Sequence, residues 1–303
     1  MLRRFLRINK TKDSGVSERF GIVLFLLPTI ILIGVYIIYP IIMSFWLSLY
    51  EWDGISPTKQ FVKFKNWVDL LNDSVFWHSL TNNIKIIILS LLIQIPLAIL
   101  IAVIIDRGGK RFDIFKSLFY LPMLMSSVAI GVLFKYVYDP QFGLISAILN
   151  LLHLENLAKD WLGDPSIALY SVIAVICWQY IPFYMIFFIA AISNIPQELY
   201  EAAKIDGATQ TQYFWKIEIP LLLPSIKTAC ILSLIGSLKY FDLIYVMTEG
   251  GPAGATELMA TYMYKSAFAS FKMGYGSTIA SAMFIIITTA GIIAYFATRQ
   301  KEA

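Results

Sequence analysis

From Phe20 to Tyr50 the chain carries no charged side chain. About 20 apolar residues cross the hydrocarbon core of a bilayer, and the apolar stretch of a cleavable leader is only ~7–15 residues long. The run reads as a retained first span, about 20–48, tilted or continued into the interface. Pro28 and Pro40 are its candidate kinks. Composition extends the constraint to the whole chain. Hydrophobic residues make up 58% and charged residues 15%, against about 25% charged in a soluble domain. A large-cored soluble enzyme is excluded, and the expected fold class is an all-α integral membrane protein.

The remaining runs place further spans at about 83–105, 117–138, 167–192, 222–247 and 276–298. Gln94 and Pro96 interrupt the second, and Pro122 and Ser126-Ser127 the third. The fourth is uncharged and holds Trp178, Gln179, Tyr180, Pro182 and Tyr184. Gly250-Gly251-Pro252 stops the fifth. Ser277, Ala280, Ser281, Ala290 and Ala294 in the sixth suit close helix packing. Residues 51–80, where Trp52, Phe64, Trp67, Phe76 and Trp77 interleave with charges, read as an amphipathic segment at headgroup level. Thr256 to Phe271 reads as a surface helix.

The net charge of +4 is small, so its placement carries the information. Arg3, Arg4, Arg7, Lys10, Lys12 and Arg19 form a basic head over residues 1–19. Arg107, Lys110, Arg111 and Lys116 lie in the loop after the second span, Lys204 and Lys216 in that after the fourth, and Arg299 and Lys301 in the tail 299–303. The alternate loops hold only Lys59, Lys63, Lys65, Lys159, Lys265 and Lys272. The positive-inside rule then puts both ends and residues 193–220 in the cytoplasm.

That loop is the polar exception in an apolar chain. Pro196 suits a first helical turn. Glu198 and Glu201 favour the positive end of the helix dipole. Gly207 stands where a left-handed C-terminal residue is expected, and Thr209 with Gln212 reads as a capping box for a second short helix. The expectation is helix, glycine turn, helix. Residues 197–206 would span about 15 Å.

Glu201-Ala202-Ala203, Asp206-Gly207-Ala208, Phe214 and Ile217-Glu218-Ile219-Pro220 together closely resemble the EAA loop of ABC importer membrane subunits. Phe241-Asp242 through Gly250-Gly251-Pro252, Phe61-Val62 through Asn66-Trp67, Leu70-Leu71, Phe76-Trp77 and Leu121-Pro122 resemble segments of carbohydrate-type permeases. The pattern is similar to the MalF-like member of a permease pair in its shorter, six-span form. This resemblance implies a six-transmembrane-helix permease with a cytoplasmic EAA coupling helix. It also implies an ABC ATPase dimer at the cytoplasmic face, a second homologous permease subunit, an extracellular or periplasmic solute-binding protein and a sugar substrate. Glu201, Ala202, Ala203, Asp206, Gly207 and Ala208 would couple to the ATPase, with Ala203 on the docking face.

Catalytic chemistry is missing. The phosphate-loop pattern G-x-x-x-x-G-K-[ST] does not occur, and neither does H-E-x-x-H or a paired-cysteine metal motif. Cys177 and Cys230 sit in apolar runs, and His78 and His153 in separate predicted loops. No catalytic set, metal, cofactor or nucleic-acid partner is expected, so the energy for transport must come from a separate ATPase. A sugar path needs hydroxyls, amides and aromatic faces. Ser126, Ser127, Trp178, Gln179, Tyr180, Tyr184, Ser233, Ser237, Tyr240 and Tyr245 supply them, with Trp178, Gln179, Tyr184, Tyr240 and Asp242 as the substrate-path set. Each also has an ordinary reading as belt or packing residue. Lys239 and Asp242, three apart in the fifth span, share a helix face and could pair, reading either as the polar lining of an outer vestibule or as a self-neutralising pair near the outer interface. Glycerol-phosphate and amino-acid substrates stay open, and so does an ATP-independent carrier, which leaves the Glu-Ala-Ala loop unexplained.

The topology predicts that an impermeant maleimide added outside intact cells labels Ser56→Cys and spares Thr209→Cys. The reverse pattern would overturn it.

Overall fold

The computed structural model describes residues 14–298; most of the basic head and the whole 299–303 tail lie outside the described residues. It contains helix α1 (Ser14–Ile33), which runs through a π-type turn (Gly34–Ile38) into α2 (Tyr39–Leu47). A two-stranded antiparallel hairpin follows, β1 (Tyr50–Glu51) with β2 (Gln60–Phe61), pairing Tyr50 with Phe61 and Glu51 with Gln60. Next come α3 (Lys65–Leu71), α4 (Ser74–Gly108), α5 (Asp113–Leu124), α6 (Ser127–Val137), α7 (Leu144–Leu151) and α8 (Ala168–Ile192). The second half holds α9 (Gln197–Ile205), α10 (Gln210–Tyr213), α11 (Ile219–Leu238), α12 (Asp242–Thr248), α13 (Met259–Tyr264) and α14 (Met273–Thr298). Among the described residues, 5 helical segments are long and apolar enough to cross a membrane. The bent pair Ile114–Leu124 and Ser127–Val137 makes up to 6.

The longest helix, α4, organises the bundle. Asp73 caps its start, accepting from the amides of Val75 at 2.8 Å and Phe76 at 3.4 Å. Such a cap is worth roughly 1 kcal/mol. The other oxygen of Asp73 accepts from the hydroxyls of Tyr262 and Tyr275. Burial opposes the charge of Asp73, but these hydroxyls and amides outweigh it and hold its carboxyl below the usual range. The cap therefore contributes fully at neutral pH, and its contribution is lost as pH falls through the lowered native value.

Along its length α4 packs against α8 and α11 in two apolar clusters. One holds Ile86 with Leu169, Val172, Ile173 and Ile176 of α8 and with Leu243, Ile244 and Met247 of α12. The other holds Ile95, Ala98, Ile99 and Ala102 with Tyr184, Met185 and Phe188 of α8 and Leu222 and Ala229 of α11. Ala98 and Ala102 are fully buried, so their short side chains let the helices approach closely. A third cluster joins α3, α13 and α14 through Leu70, Met259, Ile279 and Met283. The outward residues of the long helices, such as Leu92, Leu100, Ile104 and Ile293, are exposed and apolar, the surface a lipid solvent requires.

The structure departs from the sequence reading in four places. The second span starts at Ser74 rather than 83, so His78 lies in a helix. The third span is two helices meeting at 94°. Met125 and Ser126 are extended there, and the Ser126 hydroxyl caps α6. The fifth span, read as one run over 222–247, is broken. α11 ends at Leu238, and Phe241 is non-helical with φ −141° and ψ −64°. Lys239 and Asp242 thus sit on separate elements, both exposed, and do not pair. Finally, the expected surface helix over 256–271 is a short helix, α13, with a π-type turn, and buries Met259, Ala260, Thr261, Ser266 and Ala267.

The break in the fifth span is stabilised from a distance. The side-chain amide of Asn83 donates to the carbonyl of Ser237 at 3.0 Å, and its oxygen accepts from the amide of Met259 at 3.1 Å. Asn82 donates to the carbonyls of Ala255 at 3.0 Å and Glu257 at 3.1 Å. Asn83→Leu would strand two buried backbone groups, at about 1–3 kcal/mol each. A clear fall in the thermal unfolding midpoint in detergent is the expected outcome, and an unchanged midpoint would refute this role.

Candidate functional site

Two features stand apart from ordinary packing, one at an end of the bundle and one inside it. At the end, α9 is short and polar, with Glu198 in its first turn and Lys204 in its last, as the dipole favours. Gly207 has φ +74°, a conformation that is cheap only without a Cβ. The Ala208 amide reaches back to the Ala203 carbonyl at 2.9 Å and closes the helix end. Thr209 and Gln212 form the reciprocal capping box of α10. The helix, turn and helix thus adopt the geometry that the sequence predicts.

The faces of α9 differ. Ala203 is buried at 6% exposure, whereas Ile205 is 86% exposed and Leu199 is exposed as well. Ala203 therefore seats α9 on its own chain instead of presenting a docking face, which corrects the expectation for that residue. Glu201, Ala202, Asp206 and Gly207 face out, and Ala208 is half-buried. Gln197 donates to Glu201 at 3.0 Å.

The hairpin is fastened to the bundle. Arg107 in the last turn of α4 reaches Glu218, 111 residues away, at 2.6 Å. The Glu218 side chain is only 4% exposed. The Arg107 side chain is 34% exposed, so removing it costs less than the ~3–5 kcal/mol of a fully buried pair. Tyr213 is buried next to this pair, and its ring meets that of Tyr200 edge-on at 5.2 Å. The sequence reading placed Arg107 and Glu218 in separate loops and missed the pair. The only available signal was a carboxylate between Ile217 and Ile219.

Inside the bundle, Gln94, Tyr180, Tyr184, Ser233, Ser237 and Tyr240, with Met123, Phe183, Leu232 and Gly236, line a recess of about 250 Å³. Charged side chains are absent from that lining. The buried Ser233 and Tyr240 hydroxyls form no well-aligned hydrogen bond, although Ser233 lies beside the Tyr184 hydroxyl and Tyr240 beside that of Tyr180. Gln94 donates weakly to Ser90 at 3.2 Å and to the Cys177 sulfur at 3.8 Å. Buried polar groups are nearly always paired, so the loosely held hydroxyls give this recess spare hydrogen-bonding capacity.

Of the five residues expected on a substrate path, the recess takes Tyr184 and Tyr240. Gln179 lies apart, with its amide donating to Ser127 at 3.3 Å and its oxygen partnerless. Trp178 packs edge-on against Phe134 at 5.2 Å, and Asp242 is exposed at the start of α12. Gln94 belongs to the recess and was read only as an interruption of its span. Its signal was a lone amide in an apolar helix. Among the described residues no cluster of His, Cys, Asp or Glu fits a metal ion.

Residues 94–301 match the family described as binding-protein-dependent transport system inner membrane component. The chain is 37% identical over 284 residues to a probable ABC transporter permease protein, YurN, of Bacillus subtilis, covering 92% of this chain and 97% of that protein. It is 33% identical over 283 residues to the lactose transport system permease protein LacF of Rhizobium radiobacter, covering 92% and 94%. Its fold is similar to a chain in the crystal structure of a bacterial ABC transporter involved in the import of the acidic polysaccharide alginate. That match has a TM-score of 0.83 at 23% identity and covers 96% of this chain and 99% of the other.

The loosely held hydroxyls make a stability prediction. Tyr240→Phe and Ser233→Ala each remove a buried polar atom that forms no well-aligned hydrogen bond, so their unfolding midpoints should match or exceed the parent's. A loss comparable to that of Asn83→Leu would mean that these hydroxyls are satisfied within the fold.

Proposed function

Because the chain belongs to the family of binding-protein-dependent transport system inner membrane components, we propose that it supplies half of the path for an uncharged sugar or oligosaccharide and is driven through α9. It is a membrane-spanning transport subunit and not an enzyme. Hydrolysis is the work of a separate ATPase, and solute arrives on a binding protein. The observation that carries the coupling assignment is α9 itself, a short helix closed by the left-handed Gly207, with Ile205 and Leu199 outward and Ala203 seated inward. A polar helix with the apolar Ile205 almost fully exposed on the side away from Ala203 suits a groove on a soluble partner. In this reading both ends and residues 193–220 face the cytoplasm, and the second half of the path is a different, homologous permease.

The recess supports the choice of substrate. Its lining pairs aromatic faces with hydroxyls and an amide and carries no charge, which suits sugar rings and disfavours carboxylated or phosphorylated solutes. The names of relatives, lactose permease LacF among them, agree with a sugar.

The test uses the complex purified from the host membrane through a tag on this chain. An ATPase and a second permease should co-purify. Ile205→Asp should release the ATPase. Gly207→Val should keep it bound while abolishing the hydrolysis that loaded binding protein stimulates, since strain of about 1–2 kcal/mol at that joint tilts α9. Normal stimulated hydrolysis in both variants would remove α9 from the coupling role. A thermal-shift panel on the binding protein should find a neutral sugar, and a response to acidic oligosaccharides alone would reject the substrate class.

A further inference from the structure

The coupling reading leaves open how movement of α9 reaches the recess. Among the described residues only Glu218 and Glu257 are buried charged side chains, and Glu218 lies at the α9 end. A continuous set of directional contacts leads to it. The Gln210 amide donates to the Tyr200 hydroxyl at 3.4 Å, and the Tyr200 ring meets the buried Tyr213 ring at 5.2 Å. Tyr213 leads through the π-type turn Phe214–Glu218 to the carboxylate held by Arg107 at 2.6 Å. Arg107 ends α4, and Gln94 on the same helix lines the recess. At its far end α4 holds the break after α11 through Asn83.

Resting on the coupling reading above, we infer that Arg107 and Glu218 are positioning residues that lock α9 to α4, so that α4 moves as a rod between the ATPase-facing helix and the recess. The geometry favours a lock over simple packing. Apolar side chains at a helix end slide past one another with little penalty. A short charge-assisted hydrogen bond does not, because displacing it exposes a buried carboxylate to an apolar surround without its partner. The position also fits. The pair closes a loop of 111 residues and joins α4 to the turn that opens α11, two helices that reach the recess with Gln94 from one and Ser233 and Ser237 from the other, beside Tyr180 and Tyr184 of α8.

The test compares distances with and without a trapped nucleotide state. In the purified complex with its ATPase, Cys177 and Cys230 are replaced by alanine, and spin labels are placed at Ile104 on α4 and Lys204 on α9, both exposed. The probe is ATP with vanadate. In the parent the distance between the labels should be the same in the apo and trapped states, because the two helices move together. In Arg107→Leu/Glu218→Leu, which leaves no unpaired charge and keeps apolar contact, the distance should shift on trapping while the ATPase stays bound. Arg107→Lys, which keeps the charge, should hold the parent distance. A leucine pair that keeps the distance, or a parent that changes it, overturns the lock with the ATPase in place. A parent that holds no ATPase overturns the coupling reading and the lock with it.

Discussion

In hydrocarbon, a helix that breaks must find partners for the backbone groups it frees, and in this bundle α4 supplies them. Its two adjacent asparagines satisfy the carbonyl at the end of α11, the amide that opens α13 and two carbonyls of the connecting loop. Without them the break after Leu238 would leave buried backbone groups unpaired. With them the chain can turn α12 aside onto α6, where Gly131 admits Val246 and Met247 at close range. The recess lies beside that break, lined by Gly236, Ser237 and Tyr240 from the last turn of α11 and the residues just past it. The packing that permits an interruption also creates a polar-lined space.

Both ends of α4 are fastened. At the end beside β1 and β2, the amides of Asn82 and Asn83, the Asp73 clasp with Tyr262 and Tyr275 and the Lys265–Glu257 ion pair tie loops to the bundle. At the α9 end a buried ion pair does so. At each end an ion pair on a buried carboxylate concentrates the cost of separation in one contact.

Much of the α9 hairpin was legible because its signals are local. Gly207, Thr209 and Gln212 act on backbone groups within a few residues, and the structure puts each in the conformation expected of it. The faces of α9 were less legible. Ala203 looked like part of a docking surface, but seating of the helix on its own chain buried it. Which of the five expected path residues share one recess was not legible. Tyr184 and Tyr240 reach one recess, while Trp178 turns to Phe134 and Gln179 to Ser127, since rotation about a helix of uniform apolarity leaves no periodic signal.

By itself the sequence determined that this chain is a helical membrane protein, where most of its apolar helices run and where its polar hairpin turns. Hydropathy, glycine and caps are read within one segment at a time. Only the tertiary structure decided that the run 222–247 breaks. Its residues 238–242 hold neither proline nor glycine, and the group that stabilises the break is an asparagine 154 residues away. The pairing of Arg107 with Glu218 was decided in the same way. Charges on separate segments carry no mark of each other until packing brings them to hydrogen-bonding distance and removes the water between them.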